Sequence, residues 1–393
     1  MKILFWMSGG FDAHTTSEHL LSAVIEQLAK AGNSVHVVQT HQGGELPTLP
    51  KNLEVLGVTT QSIPVKTPNK TNFVKRYLNA MHYCWKCRDA LKNHRDSDAV
   101  FIQSTNVAGF AVWLARRFIK DAKITFNVQD IFPYNAVFSG VVKENGILFK
   151  ILAAVQRYGY KHSDHIITIS DDMKDTLIAD GISSDKIEVV YNWSYQDELY
   201  EIVDTSPVDH MFDKNYFNVV YAGNIGVMQN VDILVEVAKT MKNDKNVWFH
   251  IIGSGLYKEK LETRANEYGI HNISFWPKQP PEWAPFIYSV ADVNVIPLVK
   301  DVYRTALPSK TATCLACQKP IVFAIGKEGK FGQMVMKEAK CPVVDADKPE
   351  ELVEEIQKIR KGQAVVCTKR LFESRFLKSV NSSKYAQIIT EKH

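Results

Sequence analysis

Long apolar segments are missing from this sequence. A membrane-spanning helix needs about 18 consecutive apolar residues, and the longest candidate, residues 99–115, is interrupted by the polar run from Gln103 to Asn106. The opening residues MKILFWMSGG also lack the apolar stretch and cleavage site of a secretory leader, so we expect none. With only six cysteines in 393 residues, the sequence predicts free thiols in a reducing, cytoplasmic compartment.

A large excess of one charge is missing too, because 47 Lys and Arg residues nearly balance 43 Asp and Glu residues. The net charge of +4 gives no indication of a nucleic-acid partner. Positive residues are concentrated in residues 65–163, which hold ten Lys and six Arg against five Asp and one Glu. In residues 75–95 they surround an apolar stripe of Tyr77, Leu78, Met81, Trp85 and Leu91. This segment predicts peripheral association with an anionic membrane surface, and a solvated helical face is the alternative.

Two cycles of alternating strand and helix patterns run along the chain. The first opens with the apolar run KILFWM, the loop Ser8-Gly9-Gly10, a helix with apolar residues at helical spacing from Leu20 to Leu28, and the strand SVHVVQ. The order strand, helix, strand predicts a parallel sheet. The second cycle begins with FNVVYAGNIG, after residues 192–215, which are polar, acidic and non-periodic.

We therefore predict an α/β protein of two Rossmann-like domains, with parallel sheets that face a central cleft. Open α/β sheets bind ligands at the carboxyl ends of their strands, which would line this cleft. The predicted first domain comprises residues 1–191, the linker residues 192–215 and the second domain residues 216–373. Residues 374–393 are predicted to form a C-terminal helix.

Two CxxC pairs raise the question of a metal or redox site. Cys84 and Cys87 lie more than 220 positions from Cys314 and Cys317, whereas zinc sites built from two pairs usually place them about 15–20 residues apart. Each pair lies inside a helical pattern, where positions three apart share a face. We predict buried or half-buried free thiols and no metal site, with metal or redox chemistry as the alternative.

The tripeptide Asp345-Ala346-Asp347 has the form of the DxD sequence that holds a divalent ion in some enzymes. Asp347, however, stands two residues before Pro349, which opens an amphipathic pattern. Proline in the first turn after an aspartate is typical of a helix start, so we predict that Asp347 is an N-cap.

Two glycine loops are the more informative motifs. Ser8-Gly9-Gly10 and Gly223-Asn224-Ile225-Gly226 each follow the first strand of their cycle and precede a helical pattern. Glycines in such a place let backbone N–H groups approach an anion. Neither loop is the dinucleotide motif GxGxxG, but two loops at corresponding positions of two sheets predict an anionic ligand.

In order along the chain, several segments resemble the GT-B glycosyltransferases, nearest to the retaining family 4 enzymes of bacterial capsule, O-antigen and colanic-acid synthesis. The resemblance covers almost the whole chain and rests on VQDIFPYNAV (128–137), IITISDDMKDTLIADGISSDKIEVVYNW (166–193), VVYAGNIGVMQNVDILVEVAK (219–239), HIIGSG (250–255), ADVNVIPL (291–298) and YRTALPSKTATCLACQKPIV (303–322). It implies that the first domain binds the acceptor, that the second binds the donor nucleotide, and that the last helix returns to the first domain from about Ser374.

The resemblance also implies roles for particular residues. Breaking the bond from the anomeric carbon to the diphosphate builds negative charge on the leaving group, which fixed positive partners stabilise. Lys310, next to Ser309 on a turn into a helix, is the first candidate and Arg304 the second. Gln129 and Asp130 end a first-domain strand where relatives contact the donor sugar or acceptor. Asp130 is expected to orient or deprotonate the acceptor hydroxyl, and a capping or loop hydrogen bond is the alternative.

The donor-binding residues that the resemblance implies are Gly9, Gly10, Gly223, Asn224, Gly253, Arg304, Thr305, Ser309, Lys310 and Thr313. Two departures affect this set. Many relatives carry a Glu-x7-Glu pattern that faces the donor sugar and the ribose, whereas the matching positions here are Thr305 and Thr313. Relatives also often place Arg and Lys in the second glycine loop, where this chain has Asn224 and Gln229. Positive charge is therefore concentrated at Lys310 and Arg304.

The sequence thus predicts a metal-independent, retaining glycosyltransferase of the hexosyltransferase class that uses a nucleotide-sugar donor, with UDP favoured, and no cofactor. Its expected acceptor is a lipid-linked saccharide or other glycan in capsule or exopolysaccharide synthesis at the inner face of the cell membrane. A nucleotide-sugar 2-epimerase, which would need several acid and base residues around the donor, is one alternative. A catalytically degenerate sugar-nucleotide-binding scaffold, which would account for the two threonines, is another.

Overall fold

The computed structural model describes residues 1–11, 18–41, 46–65, 73–202 and 204–391. The chain divides into two compact units. The first unit comprises residues 1–192 and 378–393, and the second comprises residues 193–377. The expectation that the two sheets face a central cleft stays a prediction.

A parallel sheet forms the centre of the first unit. Its strands within the described residues are β1 (Lys2–Trp6), β2 (Ser34–His41), β3 (Thr59–Pro64), β4 (Ala99–Ile102), β5 (Lys123–Val128), β6 (His165–Thr168) and β7 (Ile187–Val189). They pair in the order β3-β2-β1-β4-β5-β6-β7. Strands β4 and β6 are buried along their whole length, because helices cover both faces of the sheet. This burial explains why their sequences are continuous apolar runs rather than alternating ones.

The second unit repeats this architecture. Its strands within the described residues are β8 (Phe217–Ala222), β9 (Val247–Ile252), β10 (Ile273–Trp276), β11 (Val293–Pro297), β12 (Ile321–Ala324) and β13 (Val343–Val344). They pair in parallel in the order β10-β9-β8-β11-β12-β13. In each unit the chain leaves the first strand toward one edge and returns to the other side of that strand. The two units therefore have the same Rossmann-like strand order.

Helices connect the strands, and their apolar residues recur at helical spacing. In the first of them, Leu21, Val24 and Leu28 share the buried side. The described α-helices are α1 (Glu18–Lys30), α2 (Lys51–Val55), α3 (Phe73–Lys86), α4 (Arg88–Asn93), α5 (Ala108–Phe118), α6 (Tyr134–Phe138), α7 (Ile147–His162), α8 (Asp171–Ala179), α9 (Asp232–Thr240), α10 (Lys258–Glu267), α11 (Ala284–Val290), α12 (Thr311–Ala316), α13 (Lys330–Ala339), α14 (Pro349–Arg360), α15 (Thr368–Arg375) and α16 (Lys378–Thr390).

The segment between the two sheets differs from the expected linker. Of residues 192–215, only Asn192 belongs to the first unit. Trp193 and Met211 are buried, and the backbone N–H of Tyr200 donates to the carbonyl of Ala316 at 3.0 Å. These residues are therefore part of the second unit. Their apolar side chains occur at irregular spacing, which gives no periodic signal in the sequence.

The last helix belongs to the first unit. The returning segment begins at Lys378, and α16 packs against α1 and the middle of the sheet. Asn381, in its first turn, donates to the carbonyl of Tyr191 at 2.9 Å. The two places where the chain passes from one unit to the other are thus tied together by a hydrogen bond within the first unit.

Both CxxC pairs are buried free thiols, as predicted. Burial raises the pKa of Cys87 and of Cys317 to about 12, and it also raises the pKa of Cys84 and of Cys314 well above the ordinary value of a thiol. Protonated thiols in such surroundings pack as small apolar groups rather than react as thiolates. Across the described residues, no group of three or more His, Cys, Asp or Glu side chains is placed to hold a metal ion.

The prediction that Asp347 caps a helix is wrong. Helix α14 begins at Pro349, its N-cap residue is Lys348, and no side chain caps it. Asp345 forms an ion pair with Lys348, with 2.8 Å between Oδ2 and Nζ. The hydrogen bond from this lysine holds the pKa of Asp345 below its usual range. Asp345 is therefore stabilised by ion pairing, and neither aspartate caps the helix.

Candidate active site

The carboxyl ends of β8 and β11 form the switch point of the second sheet, because the chain runs from β8 to β9 on one side and returns to β11 on the other. Ligands of open α/β sheets bind at such a point. Two connections start here. The loop Gly223-Asn224-Ile225-Gly226 follows β8, and the segment after β11 leads through Pro308, Ser309 and Lys310 into α12.

Lys310 is the charged side chain at the centre of this arrangement. Its Nζ lies 3.6 Å from the centroid of the Tyr221 ring, within the range of a cation–π interaction. A Cβ atom on Gly223 would lie 2.7 Å from the same Nζ. The residue is half-buried, and desolvation of its ammonium lowers the pKa of Lys310 to about 7. The lysine is therefore close to losing its charge at neutral pH until an anion arrives.

The ring of Tyr221, against which the Lys310 ammonium lies, is held in a fixed position. Tyr221 is the fifth residue of β8 and is 1% exposed. Its hydroxyl donates to the carbonyl of Asn224, which ties the ring to the glycine loop. Burial raises the pKa of the Tyr221 hydroxyl, so the ring stays neutral and attracts the cation through its face only.

Gly223 and Gly253 have φ angles of +151° and +154°, which side-chain-bearing residues rarely adopt. A Cβ atom on Gly253 would overlap the carbonyl oxygen of Gly223, so the loops after β8 and β9 touch at this point. The N–H of Gly223 donates to the carbonyl of Ile252 at 2.9 Å. In this arrangement Gly223 contributes space for Lys310, and Gly253 contributes the close approach of two loops.

Hydrogen bonds of side-chain amides hold the rest of the second glycine loop in place. The Oε1 of Gln229 accepts from the N–H of Gly226 at 3.1 Å and from the Nδ2 of Asn224 at 3.0 Å. Asn224 and Gln229 thus support each other, at positions where the sequence lacks cations. A loop fixed by its own amides keeps its shape without a ligand.

In the first unit, Asp130 stands two residues after the end of β5. Its side chain is accessible to solvent, yet desolvation by the surrounding protein raises the pKa of Asp130 to about 6. At neutral pH this carboxyl group is mostly ionised and more basic than an ordinary aspartate. These are the properties of a group that accepts a hydrogen bond or a proton from a hydroxyl.

Gln129, its neighbour, is held in place by three other polar residues. Its Nε2 donates to Asn127 Oδ1 at 3.0 Å and to the hydroxyl of Tyr385 at 3.4 Å. Its Oε1 accepts from Asn192 Nδ2 at 2.7 Å, and the Tyr385 hydroxyl donates to Asn127 Oδ1 at 3.1 Å. Both ends of the Gln129 amide are therefore occupied within the first unit, and its predicted role in catalysis stays a prediction.

The first glycine loop is held at its two ends. The N–H of Ser8 donates to Gln103 Oε1 at 2.7 Å, and the N–H of Phe11 donates to Gln39 Oε1 at 3.0 Å. A Cβ atom on Gly9 would meet nothing within 4 Å. Gly9 therefore borders open space, as a residue that approaches a ligand must. The segment that joins Gly10 to α1 includes residues 12–17, which lie outside the described part of the chain.

The family models and solved structures agree with this architecture. Residues 17–193 match the model of the glycosyl transferase 4-like domain, and residues 203–370 match that of the glycosyl transferases group 1. The whole chain superimposes on the whole chain of HepE from Anabaena, crystallised with UDP and glucose, with a TM-score of 0.75 at 13% identity. The chain belongs to the GT-B glycosyltransferases.

Curated relatives of this glycosyltransferase include the probable glycosyltransferase WbjE of Pseudomonas aeruginosa. The two sequences are 21% identical over 330 residues, which is 82% of each chain. The putative colanic acid biosynthesis glycosyl transferase WcaI of Escherichia coli K12 is 26% identical over 196 residues, about half of each chain (49% and 48%).

The remaining predicted residues of this glycosyltransferase lie around Lys310 in the sequence but differ in exposure. Arg304 and Ser309 are exposed. Thr305 is 2% exposed, and its hydroxyl donates to the carbonyl of Val302 within its own turn at 3.1 Å. Thr313 is also buried, on α12. The two threonines therefore fill buried positions in the fold.

Sequence reasoning missed the partners that hold these residues. Tyr221, Tyr385 and Asn192 carry no motif, and Tyr385 lies 256 positions from Gln129. The N-terminus of α12 adds little positive charge beside Lys310, because α12 has only six residues. The ring of Tyr221, two residues before Gly223, is the group that Lys310 contacts.

Proposed function

We propose that this glycosyltransferase moves a hexose from a UDP-sugar to a lipid-linked saccharide, with retention of anomeric configuration and without a metal ion or other cofactor. The observation that carries the proposal is the place of Lys310, whose ammonium lies over Tyr221 and against Gly223 at the switch point of the second sheet. This is where the donor diphosphate would lie in an open α/β domain.

Lys310 supplies the countercharge for the leaving group. Its pKa of about 7 means that the free enzyme holds it only partly charged. Two negative phosphate groups nearby favour the protonated form, so donor binding would restore the full charge. A preformed cation in a partly desolvated site stabilises charge that develops in the transition state. Lys310 thus has the role that a divalent ion has in other transferases, with Arg304 at the rim as a second cation.

Asp130 is the group we assign to the acceptor. An ionised carboxylate with a pKa of about 6 accepts a hydrogen bond from the attacking hydroxyl and draws its proton as the new bond forms. Gln129 fixes the backbone from which Asp130 projects. The hydroxyl attacks the anomeric carbon from the face that the diphosphate leaves, which retains the configuration. The electron pair of the broken bond between the anomeric carbon and the phosphate oxygen goes to the diphosphate beside Lys310.

The choice of UDP is supported by HepE, whose crystal structures contain UDP, UDP-glucose, or UDP with glucose. The choice of a saccharide acceptor in polysaccharide synthesis is supported by WcaI, whose name assigns it to colanic acid biosynthesis. No helix in the described residues is long and apolar enough to cross a membrane. We place the enzyme at the inner face of the cell membrane as a peripheral protein.

A panel of radiolabelled UDP-glucose, UDP-galactose and GDP-mannose, incubated with lipid extract in EDTA or in magnesium, tests this proposal. Transfer from a UDP-sugar in EDTA is expected, with NMR of the product showing the anomeric configuration of the donor. Preference for GDP-mannose, inversion, or loss of turnover in EDTA that magnesium restores would each contradict one part of it. Interconversion of the sugars would indicate an epimerase, and binding without turnover a scaffold.

A further inference from the structure

Three helices of the first unit carry positive charge without any negative charge. Helices α3, α5 and α7 contain eight Lys and Arg residues and no Asp or Glu. By contrast, α8 in the same unit contains three aspartates and α1 two glutamates. The eight cations are Lys75, Arg76, Lys86, Arg117, Lys150, Arg157 and Lys161, together with Arg116, whose guanidinium is paired with Asp164 at 2.6 Å within the unit.

These helices are neighbours. A Cβ atom on Gly109 of α5 would overlap the carbonyl oxygen of Val155 in α7, and the N–H of Ala108 donates to Gln156 Oε1 at 3.0 Å. Helix α3 contacts α5. With the observed strand order, right-handed connections place all three helices on the same face of the sheet. Their outward sides therefore form one surface, which we call the three-helix face.

The three-helix face exposes large apolar side chains. Ile147 is 81% exposed and Ile151 is 56% exposed, one turn apart at the start of α7. Exposed apolar residues on the three helices are Val74, Leu78, Trp85, Trp113, Ile147, Leu148, Ile151 and Tyr158. Aliphatic side chains this exposed, among cations, are typical of surfaces that enter the headgroup region of a bilayer.

The structure changes the membrane-binding segment that the sequence suggested. Leu78 and Trp85 are exposed as expected, but Leu91 is 1% exposed and belongs to the core, so its inclusion in the apolar stripe was wrong. The basic stretch around α3 is one edge of the surface. Helix α7 was overlooked because its apolar residues include the buried Phe149 and Leu152, which make it look like an ordinary core helix.

We propose that the three-helix face docks on the surface of an anionic phospholipid bilayer. Ile147, Leu148 and Ile151 enter the boundary between headgroups and acyl chains, and the surrounding Lys and Arg side chains contact the phosphates. A second copy of the chain is a poor occupant, because the same cations would face each other across such an interface. The inference rests on the proposed peripheral location but not on the proposed reaction.

The face also has a connection to Asp130. Phe132, two residues after Asp130, packs with Phe149 of α7 in one apolar cluster, and its ring lies 6.2 Å from those of Phe73 and Tyr77 of α3. The segment that carries Asp130 therefore rests on the inner side of the helices that we place on the bilayer.

Flotation with vesicles of phosphatidylglycerol and phosphatidylcholine in equal parts tests the proposal, with pure phosphatidylcholine as the neutral comparison. Binding to the anionic vesicles is expected, and it should weaken with salt because charges are screened within about 10 Å at 0.1 M. The double variant Ile147→Glu with Ile151→Glu should lower the partition coefficient by roughly tenfold or more for each side chain. Equal binding to both vesicles, or to neither, would overturn the proposal.

Val55→Glu is the matched control. Val55 is 87% exposed on α2, whose connection from β2 to β3 runs on the opposite face of the sheet. It should leave binding unchanged, and an equal loss in both variants would contradict the assigned surface. Quenching of Trp113 fluorescence by brominated lipid, measured against Trp113→Phe, tests the wild-type protein directly. A wild-type dimer that the double variant abolishes would assign the face to self-association instead.

Donor hydrolysis in detergent, measured on the same double variant, separates the two proposals. The Ile147 and Ile151 changes should leave hydrolysis of UDP-glucose unchanged, because both side chains are on the outer surface. An active variant that no longer binds vesicles supports the docking surface whatever the acceptor is. Vesicle binding by an enzyme that processes none of the donors would preserve the surface and overturn the proposed reaction.

Discussion

Near the carboxyl ends of its strands, the first unit carries a carboxyl group, Asp130, and the second carries an amino group, Lys310. Desolvation raises the pKa of Asp130 to about 6 and lowers the pKa of Lys310 to about 7. The same physical effect, applied to opposite charges, brings both groups close to neutral pH. Two sheets with the same strand order thus carry groups of opposite charge whose pKa values both lie near neutral pH. A shared fold alone does not determine these pKa values.

The two groups also differ in how they are held. Lys310 contacts Tyr221, which lies on the strand before the glycine loop of the same unit. Asp130 is positioned through Gln129, whose partners come from the end of the first sheet and from α16. Changes at Lys310 should therefore act on charge, whereas changes around Asp130 should act on position.

The largest effect is expected from removal of the cation. Lys310→Met keeps the length of the side chain but deletes the countercharge, and loss of one such partner typically lowers turnover by roughly 10²–10³-fold. The unfolding midpoint should stay the same or rise, since a desolvated ammonium opposes folding. Initial rates and thermal unfolding of the variant provide the measurement.

Lys245→Ala serves as the control for that variant. Lys245 is exposed and lies just before β9, at the amino end of the strands and so away from the carboxyl ends where Lys310 lies. Its turnover should equal that of the wild type. If Lys310→Met kept near wild-type turnover, Lys310 would not be the countercharge to the leaving diphosphate.

The next effect concerns pH. Lys310 in the free enzyme loses its proton above about pH 7, whereas bound diphosphate keeps it protonated. Binding of UDP-glucose should therefore take up a proton above pH 7, and the Kd should rise with pH by at most about tenfold per unit. The donor is a doubly esterified diphosphate and has no phosphate proton to lose in this range. Calorimetry in two buffers of different ionisation enthalpy measures the uptake directly.

The same titration on Lys310→Met decides the assignment. The variant should bind more weakly at pH 7 and show no proton uptake. Proton uptake that persists in the variant would place the titrating group elsewhere and would break the contrast between the two units.

A smaller effect is expected in the first unit. Tyr385→Phe keeps the buried ring but removes the hydroxyl that contacts Asn127 and Gln129. Loss of this contact should lower kcat by about 2–13-fold and leave the donor KM unchanged. The acid limb of the kcat/KM profile, which reports the free enzyme and which Asp130 places near pH 6, should be displaced.

Tyr191→Phe removes a different hydroxyl in the same unit, one that donates to Asp171 at 3.0 Å. It should change stability without displacing the acid limb. If both tyrosine variants show the same unshifted profile, Tyr385 stabilises the fold and does not position Asp130.

The smallest effect on turnover is expected at Cys314, one helical turn from Lys310. Burial keeps this thiol protonated, so Cys314→Ser should leave kcat near the wild-type value and lower the free energy of unfolding by about 1 kcal/mol. Denaturant unfolding and initial rates test both statements. A large loss of turnover would revive the metal or redox interpretation of the CxxC pair.

The two units also show what the sequence alone could predict. Apolar runs bounded by glycine, such as KILFWM and FNVVYAG, identified β1 and β8 because a buried parallel strand needs a continuous apolar run. The Lys310 turn and the loop at Gly223 were found from local motifs. The contact of Lys310 with Tyr221 was not, because an aromatic residue inside an apolar strand gives no sign that its ring faces an ion.

Contacts that span the chain were the other omission. Tyr385 and Asn192 reach Gln129 only because α16 and the end of the first sheet meet in space. Leu91 and Trp193 were misjudged for a related reason, since a short helix and an irregular segment give no period from which to infer the buried side. Sequence patterns predict helices and strands whose apolar residues recur at a fixed period. They do not predict the burial of segments that are held by a few contacts between residues distant in the chain.

The return of α16 to the first unit has a consequence for the order of folding during synthesis. The second unit, residues 193–377, is an unbroken stretch of the chain inserted before the last helix of the first. A ribosome releases all of it before α16, whose Tyr385 and Ile389 fill the core of the first unit. Domains generally fold as they emerge, so here the domain that starts first would be completed last. Until then, the nascent first unit would expose the apolar surface of α1 and the sheet that α16 later covers.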